Sequence, residues 1–426
     1  LLLGVCLCPA RDARAQKKGL ARVEDFVVVS GKDLAGLLGA EAGSLRLYSC
    51  RGSCKQVPAQ VDKVDALGRY VFPQDKNKDR DGSLLDQNDE IAFMAGDAGD
   101  KAPAGFRPQG AVRGVEIELI DPLDSGAAWL YLFDMPGVKP SSGLPDYVDY
   151  KVEDGSVFIQ SPQFVLGYKQ GRINYDHLRL RSASGALCFD LLDRQRVGLE
   201  GKMAGDRNIT LSAPESIIKV NDIAVIDGPV RVIVDEVMSV HIGVISFQYG
   251  SELFMTFYRC GQNNSVNFSF PAAASTLFKS ILFYWSLDFT PDVVGFSYID
   301  ANHPEPIVVK NETRQSIPGD KPHFWWGMYG PKGAVLQALK LDNDITPYFT
   351  CDGRWNQDPD GDDKKGDFPG RLEIGFSCHE KGKIPEKQDY HWQNYILFPA
   401  DPTAAGLTSL KNIFEKPLAV KTGPLP

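Results

Sequence analysis

The chain has little histidine and no surplus of positive charge. Six histidines occur in 426 residues. No two have the HExxH spacing of a zinc hydrolase, and no CxxC pair marks a zinc site. CxxCH is absent, which excludes covalent haem attachment of that type. G-x-S-x-G, P-loop and Rossmann patterns are missing as well. Several large enzyme classes are thereby removed, though not a catalytic triad without a local motif. Lys and Arg number 46 against 55 Asp and Glu, a formal net charge of -9. Nucleic acid is therefore not an expected partner, because phosphate binding needs a basic surface. Helical periodicity is scarce, and no stretch beyond the N-terminus is long and apolar enough to span a membrane as a helix.

Strand patterning is what remains. Hydrophobic residues make up 43% of the chain, enough for a sizeable core, and 41 Gly with 28 Pro supply many turns. Leu45 to Tyr48 alternates, as does Val115 to Leu119. Trp129, Tyr131 and Phe133 share one face, with Leu130 and Leu132 on the other. Residues 177–181, 230–237 and 253–258 read as further strands. Period-two runs bounded by Gly, Pro, Asn and Asp predict an all-β, antiparallel protein with few short helices. One short helical stretch is expected at 33–38. A second begins at Asp401-Pro402, with Leu407, Leu410 and Phe414 on one face.

The cluster GVKPSSGLP at 137–145 reads as a linker. It divides the chain into a small N-terminal β-sandwich, 16–136, and a larger β-sandwich domain, 146–426. Residues 1–15 read as a secretory signal truncated at its start: a short apolar run ending in Ala13-Arg14-Ala15, with cleavage expected before Gln16. The expected location is secreted or periplasmic, in association with a cell surface.

Eight cysteines are present, and setting aside Cys6 and Cys8 in the signal leaves Cys50, Cys54, Cys188, Cys260, Cys351 and Cys378. An even count after a secretory signal predicts disulfides, with connectivity open among many pairings. The favoured pairs are local, Cys50 with Cys54 and Cys351 with Cys378, leaving Cys188 for Cys260. Free buried thiols are the alternative for that last pair.

The segment 75–90, DKNKDRDGSLLDQNDE, places Asp75, Asn77, Asp79 and Asp81 at every second residue before Gly82, followed by Asp86 and Asp89. Alternating oxygen ligands before a Gly turn suit Ca2+, which takes six to eight oxygens. The loop resembles an EF-hand or dockerin loop with one residue too many, flanked by strand rather than helix patterns at 70–72 and 91–94. A solvated acidic turn is the alternative. A second acidic loop at 358–367, with Asp358, Asp360, Asp362, Asp363 and Asp367, reads as a surface turn tied down by Cys351 and Cys378, with metal binding as the alternative.

Two aromatic clusters, Trp325, Trp326 and Tyr329 and then Tyr390, His391 and Trp392, are candidates for stacking on sugar rings. Adjacent Trp325 and Trp326 must face opposite ways in a strand, and core filling is the competing role. Tyr168, Arg172, Tyr175 and His177 have the residue types of a sugar-acid lyase site, a base and a cation.

Two short resemblances add to this. Residues 45–62, with Val57-Pro58-Ala59-Gln60-Val61-Asp62, look like the small sandwich domains preceding catalytic modules in secreted carbohydrate-active proteins. Residues 227–233 and 249–256 are similar to segments of galactose-mutarotase-like β-supersandwiches. These resemblances imply a carbohydrate-linked role without transferring a catalytic residue. The expectation is a secreted, calcium-stabilised protein that binds a glycan or a cell-surface protein. A polysaccharide lyase or glycoside hydrolase with a groove active site, or a structural subunit of a surface assembly, are the rival readings. An enzyme would be distinguished by Tyr, His, Arg and Glu meeting in one cleft.

Overall fold

The computed structural model describes residues 19–425 apart from 76–81, 173, 204–207, 212–217, 243–244, 270–277, 311–323, 357–371 and 382–388. It is all-β, with five antiparallel sheets and few helical turns.

The small sandwich is built from β1 (Phe26–Ser30), β2 (Leu45–Arg51), β3 (Ser53–Val57), β4 (Gln60–Asp62), β5 (Glu90–Met94), β6 (Arg113–Ile120) and β7 (Ala127–Asp134). Alternation along β7 assigns its faces. Leu130 and Leu132 enter the main core with Val29, Leu47, Phe93 and Ile117. Trp129, Tyr131 and Phe133 pack on the other side with Phe106 and Met135. Val71 and Phe72, expected as strand, are not; Tyr70 makes only an isolated bridge to Val64.

The exposed 137–145 segment leads to β8 (Asp149–Glu153), β9 (Ser156–Gln160), β10 (Phe164–Lys169), β11 (Tyr175–Arg181) and β12 (Leu187–Asp190), a five-stranded meander. After it come β13 (Leu192–Met203), β14 (Asn208–Leu211), β15 (Ile218–Asp227), β16 (Arg231–Ile242), β17 (Ile245–Tyr258), β18 (Gly261–Ser269), β19 (Phe278–Phe289), β20 (Ser297–Asp300), β21 (Ile307–Val308), β22 (Trp325–Gly330), β23 (Gly333–Leu341), β24 (Phe349–Asn356), β25 (Leu372–Glu380) and β26 (Asp389–Leu397). These form a second five-stranded sheet, β14-β13-β19-β25-β24, and a nine-stranded sheet, β15-β16-β17-β18-β26-β23-β22-β20-β21. The inner face of the nine-stranded sheet meets both five-stranded sheets in one continuous core, which includes Tyr168, Val234, Phe257, Phe289, Trp326 and Ile374.

On the outer face of the nine-stranded sheet lies helix α1 (Ala404–Glu415). Its cap is Thr403, whose side chain accepts from the Gly406 amide at 3.2 Å, rather than Asp401. Leu407, Leu410 and Ile413 pack on Leu336, Ala338 and Leu397, with Phe414 partly buried beside them. The final strand, β27 (Ala419–Pro424), corrects the 146–426 division. It pairs with β6 from Ala419 opposite Ile120 to Pro424 opposite Val115, and so completes the small sandwich. Where the sequence expected a helix at 33–38 there are two short 3-10 turns, Gly31–Asp33 and Ala35–Leu37.

The two sandwiches meet through a buried polar contact. Arg231 on β16 reaches Asp62 at 2.7 Å and Glu90 at 2.6 Å. The Gln60 side chain accepts from the amides of Val230 and Arg231 at 3.1 and 2.9 Å. Beside this contact the rings of Phe26 and Tyr258 stack 3.8 Å apart.

Candidate functional site

Disulfides form between Cys50 and Cys54 and between Cys351 and Cys378. Both link facing residues of neighbouring strands, β2 with β3 and β24 with β25. Gly52, at φ +75°, supplies the left-handed turn inside the first. The expected Cys188–Cys260 bridge does not form. Cys260 is a free, fully buried thiol packed with Leu336, Leu397 and Leu410. Cys188 belongs to β12, in a different sheet.

Of the expected calcium ligands, Asn77, Asp79 and Asp81 lie outside the described residues. Gly82 has the left-handed φ of +74° that its turn requires. Asp75 accepts from the Phe72 amide at 2.9 Å. Asp86 closes a local turn onto the Asn88 amide at 2.8 Å. Asp89 is fully buried and its carboxylate turns inward. It accepts from Lys63 Nζ at 2.5 Å, the Val64 amide at 3.1 Å and the Asp86 amide at 2.8 Å. Among the described residues no group of three or more His, Cys, Asp and Glu is arranged to hold a metal ion. The loop at 358–367 lies outside the described residues.

The aromatic candidates divide between the faces of the nine-stranded sheet. Trp325 and Trp326 do face opposite ways. Trp326 is fully buried and donates from Nε1 to Gln337 at 2.9 Å. Trp325 is covered from the helix side by Lys411, with Tyr329 partly buried nearby. Tyr390 is fully buried, and Trp392 stacks on Phe283 at 4.9 Å at the core edge. His391 is exposed and pairs with Asp344 at 2.8 Å. These side chains do not form one stacking surface. Tyr168 and Tyr175 are also fully buried, whereas His177 pairs with Asp190 and packs edge-on to Phe158 on the other face of the meander. Arg172 sits in the exposed turn before β11. Tyr175, His177, Trp325 and His391 therefore scatter.

A different cluster does converge, on the outer face of the sheet containing β13, β19, β25 and β24. Phe283, Leu287 and Phe289 of β19 enter the core, so Tyr284, Ser286 and Asp288 face away. Ile374, Phe376 and Cys378 of β25 likewise point inward, leaving Glu373, Ser377 and His379 outside. Register places Arg196 opposite Ser286, Asp288 opposite Glu373, and Arg354 opposite Gly375.

Arg196 meets Asp288 through Nε at 2.9 Å and through Nη2 at 2.8 Å. Arg354 Nε donates to Glu373 Oε1 at 2.6 Å, and the Ser286 hydroxyl donates to the same oxygen at 2.5 Å. The Arg354 guanidinium also lies 4.2 Å from the centre of the Tyr284 ring. That ring fills the space above Gly198, where a Cβ would come within 2.3 Å of it. Asp288 and Ser286 have no exposure, while the Arg196 and Arg354 side chains keep 27% and 24%. His379 and Asp352 lie 3.7 Å apart on the same face. Burial pushes the Glu373 carboxyl up, but Arg354, Ser286 and Arg196 outweigh burial and hold it below the ordinary glutamate value.

The result is a row of guanidinium donors alternating with carboxylate acceptors, with a tyrosine between them. Sequence reasoning missed it because its members come from four strands. The available signal was polar alternation, in Arg194 and Arg196 and again in Tyr284, Ser286 and Asp288.

Fold and site together define a class, an all-β two-sandwich protein with a charged outer sheet face. No known protein family matches the chain, and no curated protein matches it. Among solved structures, the crystal structure of HI1317 is similar to it at 7% identity and a TM-score of 0.29, covering 58% of this chain and 98% of that one.

Proposed function

We propose that this protein binds carbohydrate outside the cytoplasm, and that the outer face bearing Arg196, Tyr284, Asp288, Arg354 and Glu373 is the binding surface. One observation carries the reading. Two arginine–carboxylate pairs stand side by side on an outward sheet face, with both arginine side chains partly exposed. Sugar hydroxyls accept hydrogen bonds, and the partly exposed arginines offer donors that the buried Asp288 and Glu373 hold in place. The two disulfides suit an oxidising compartment. The calcium expectation stays a proposal resting on the spacing of Asp75, Asn77, Asp79 and Asp81.

A second reading, a glycoside hydrolase or lyase, is favoured by Asp288 and Glu373 facing each other across β19 and β25. Hydrolysis needs one carboxyl kept protonated as general acid. Arg354, Ser286 and Arg196 hold the Glu373 carboxyl below the ordinary glutamate value, so Glu373 does not suit the acid role. The test is a glycan array followed by calorimetry on each hit. Arg354→Ala should weaken binding about tenfold or more, as expected for loss of a charge-assisted contact. Unchanged affinity in both Arg354→Ala and Arg196→Ala would place the binding surface elsewhere. Turnover of a bound glycan that is lost in Glu373→Gln would decide for the enzyme.

A further inference from the structure

On the outer face of the nine-stranded sheet, one polar row lies between the ground covered by the small sandwich and that covered by α1. Met255, Phe257 and Val266 enter the core, so Phe254 and Ser265 face outward. Register sets Asp235 of β16 opposite Phe254, Phe254 opposite Ser265, Ser265 opposite Gln393 of β26, and Gln393 opposite Lys340 of β23. Five strands at a spacing of roughly 4.8 Å make this row about 19 Å long. Lys340 is exposed and the other four are partly exposed. On one side Tyr70 of the small sandwich meets the Phe254 ring edge-on at 5.7 Å. On the other, Phe414 of α1 stacks at 5.4 Å on Tyr395, whose hydroxyl donates to Gln393 Oε1 at 2.7 Å.

Junctions between domains are favoured places for ligand sites. The chemistry of this one selects the ligand. All five strands lie inside the sheet, so their backbone groups are committed to neighbours and a peptide strand has no edge to join. Recognition runs through side chains instead. The row offers one half-open aromatic ring, with a carboxylate on one side of it and a hydroxyl, an amide and an ammonium on the other. A sugar ring brings an apolar face to stack and hydroxyls that both donate and accept. Charge selects further. At the Tyr70 end, Asp62 and Glu90 outnumber the single Arg231 that they share, and Asp235 adds another carboxylate. Lys340 stands at the far end, and His391 in the next row is paired with Asp344. An acidic chain would be repelled at the ring on which it has to stack.

We propose that the row from Asp235 to Lys340 binds a neutral oligosaccharide, with one sugar ring stacked on Phe254. This rests on the reading that the protein binds carbohydrate, and adds to it a second surface away from Arg196 and Arg354. The test is calorimetry of the full chain with cellohexaose, xylohexaose and mannohexaose, and with hexagalacturonate as the acidic probe. At least one neutral hexasaccharide should bind, and hexagalacturonate should bind at least tenfold more weakly. Phe254→Ala should weaken the neutral sugar about tenfold or more. Ser265→Trp, which adds bulk to the row and leaves the Tyr70 contact in place, should abolish binding and provides the readout should Phe254→Ala disturb the junction. Arg354→Ala should leave this affinity unchanged. Loss in Arg354→Ala alone would keep the sugar on the other face and overturn the second surface only. Undiminished affinity in Ser265→Trp, tighter binding of hexagalacturonate, or no binding of any neutral hexasaccharide also overturns the proposal.

Discussion

Arg231 of the large sandwich and Asp62 of the small one form a 2.7 Å ion pair in which each side chain is 1% exposed. Removing Arg231 leaves Asp62 charged and dry, and removing Asp62 leaves the buried Arg231 with Glu90 as its remaining carboxylate. Arg231→Ala and Asp62→Ala should each cost about 3–5 kcal/mol, while the double replacement should cost less than their sum. Urea denaturation of the full chain measures this. A loss below about 1 kcal/mol in both single variants would mean that water reaches the pair.

Asp89 makes a second buried connection, to Lys63 and to the Val64 and Asp86 amides. Asp89→Ala strips the Val64 and Asp86 amides of their shared acceptor and should lower stability by about 3 kcal/mol. The loss should be the same in calcium and in chelator. A loss seen only in calcium would assign Asp89 to a calcium site.

Mass mapping without reduction should find Cys50 joined to Cys54 and Cys351 joined to Cys378. Cys260 should react with a thiol reagent only after unfolding, since it is fully buried. Serine at both Cys351 and Cys378 should cost about 3–4 kcal/mol for a loop of this size. Labelling of Cys260 in the native chain would contradict its packing under α1.

Glu373 sets a pH dependence with a definite sign. Its folded value lies below the ordinary 4.5, so the stabilisation is present above 4.5 and is lost as pH falls through the folded value. Urea midpoints of the native chain should fall more steeply on acidification past 4.5 than those of Glu373→Gln. Parallel curves would show that the Arg354 pair contributes nothing to folding.

Strand identity was legible because one face of most strands is apolar. β7 is the clearest case, with Leu130 and Leu132 on one side and Tyr131 and Phe133 on the other. Partnership between sheets was not legible. Aromatic richness near Trp326 and Trp392 suggested a surface because the string does not reveal that a second sheet covers them. Pairing Cys188 with Cys260 by elimination failed for the same reason, as the two belong to different sheets. The Arg196, Asp288, Arg354 and Glu373 cluster needs register across four strands, and only pairing supplies that. Within each strand its members look like ordinary outward polar residues.

The return of β27 to the side of β6 has a consequence for biogenesis. On the ribosome, residues 26–134 emerge long before residues 419–424. The five-stranded sheet of the small sandwich must then wait with an open edge at β6 until the entire large sandwich has been made. Val115, Ile117 and Leu119 bring an apolar stripe to that unfinished edge, where a foreign strand could add. A nascent chain stalled before residue 419 should therefore be a substrate for chaperones, whereas the released full-length chain should not.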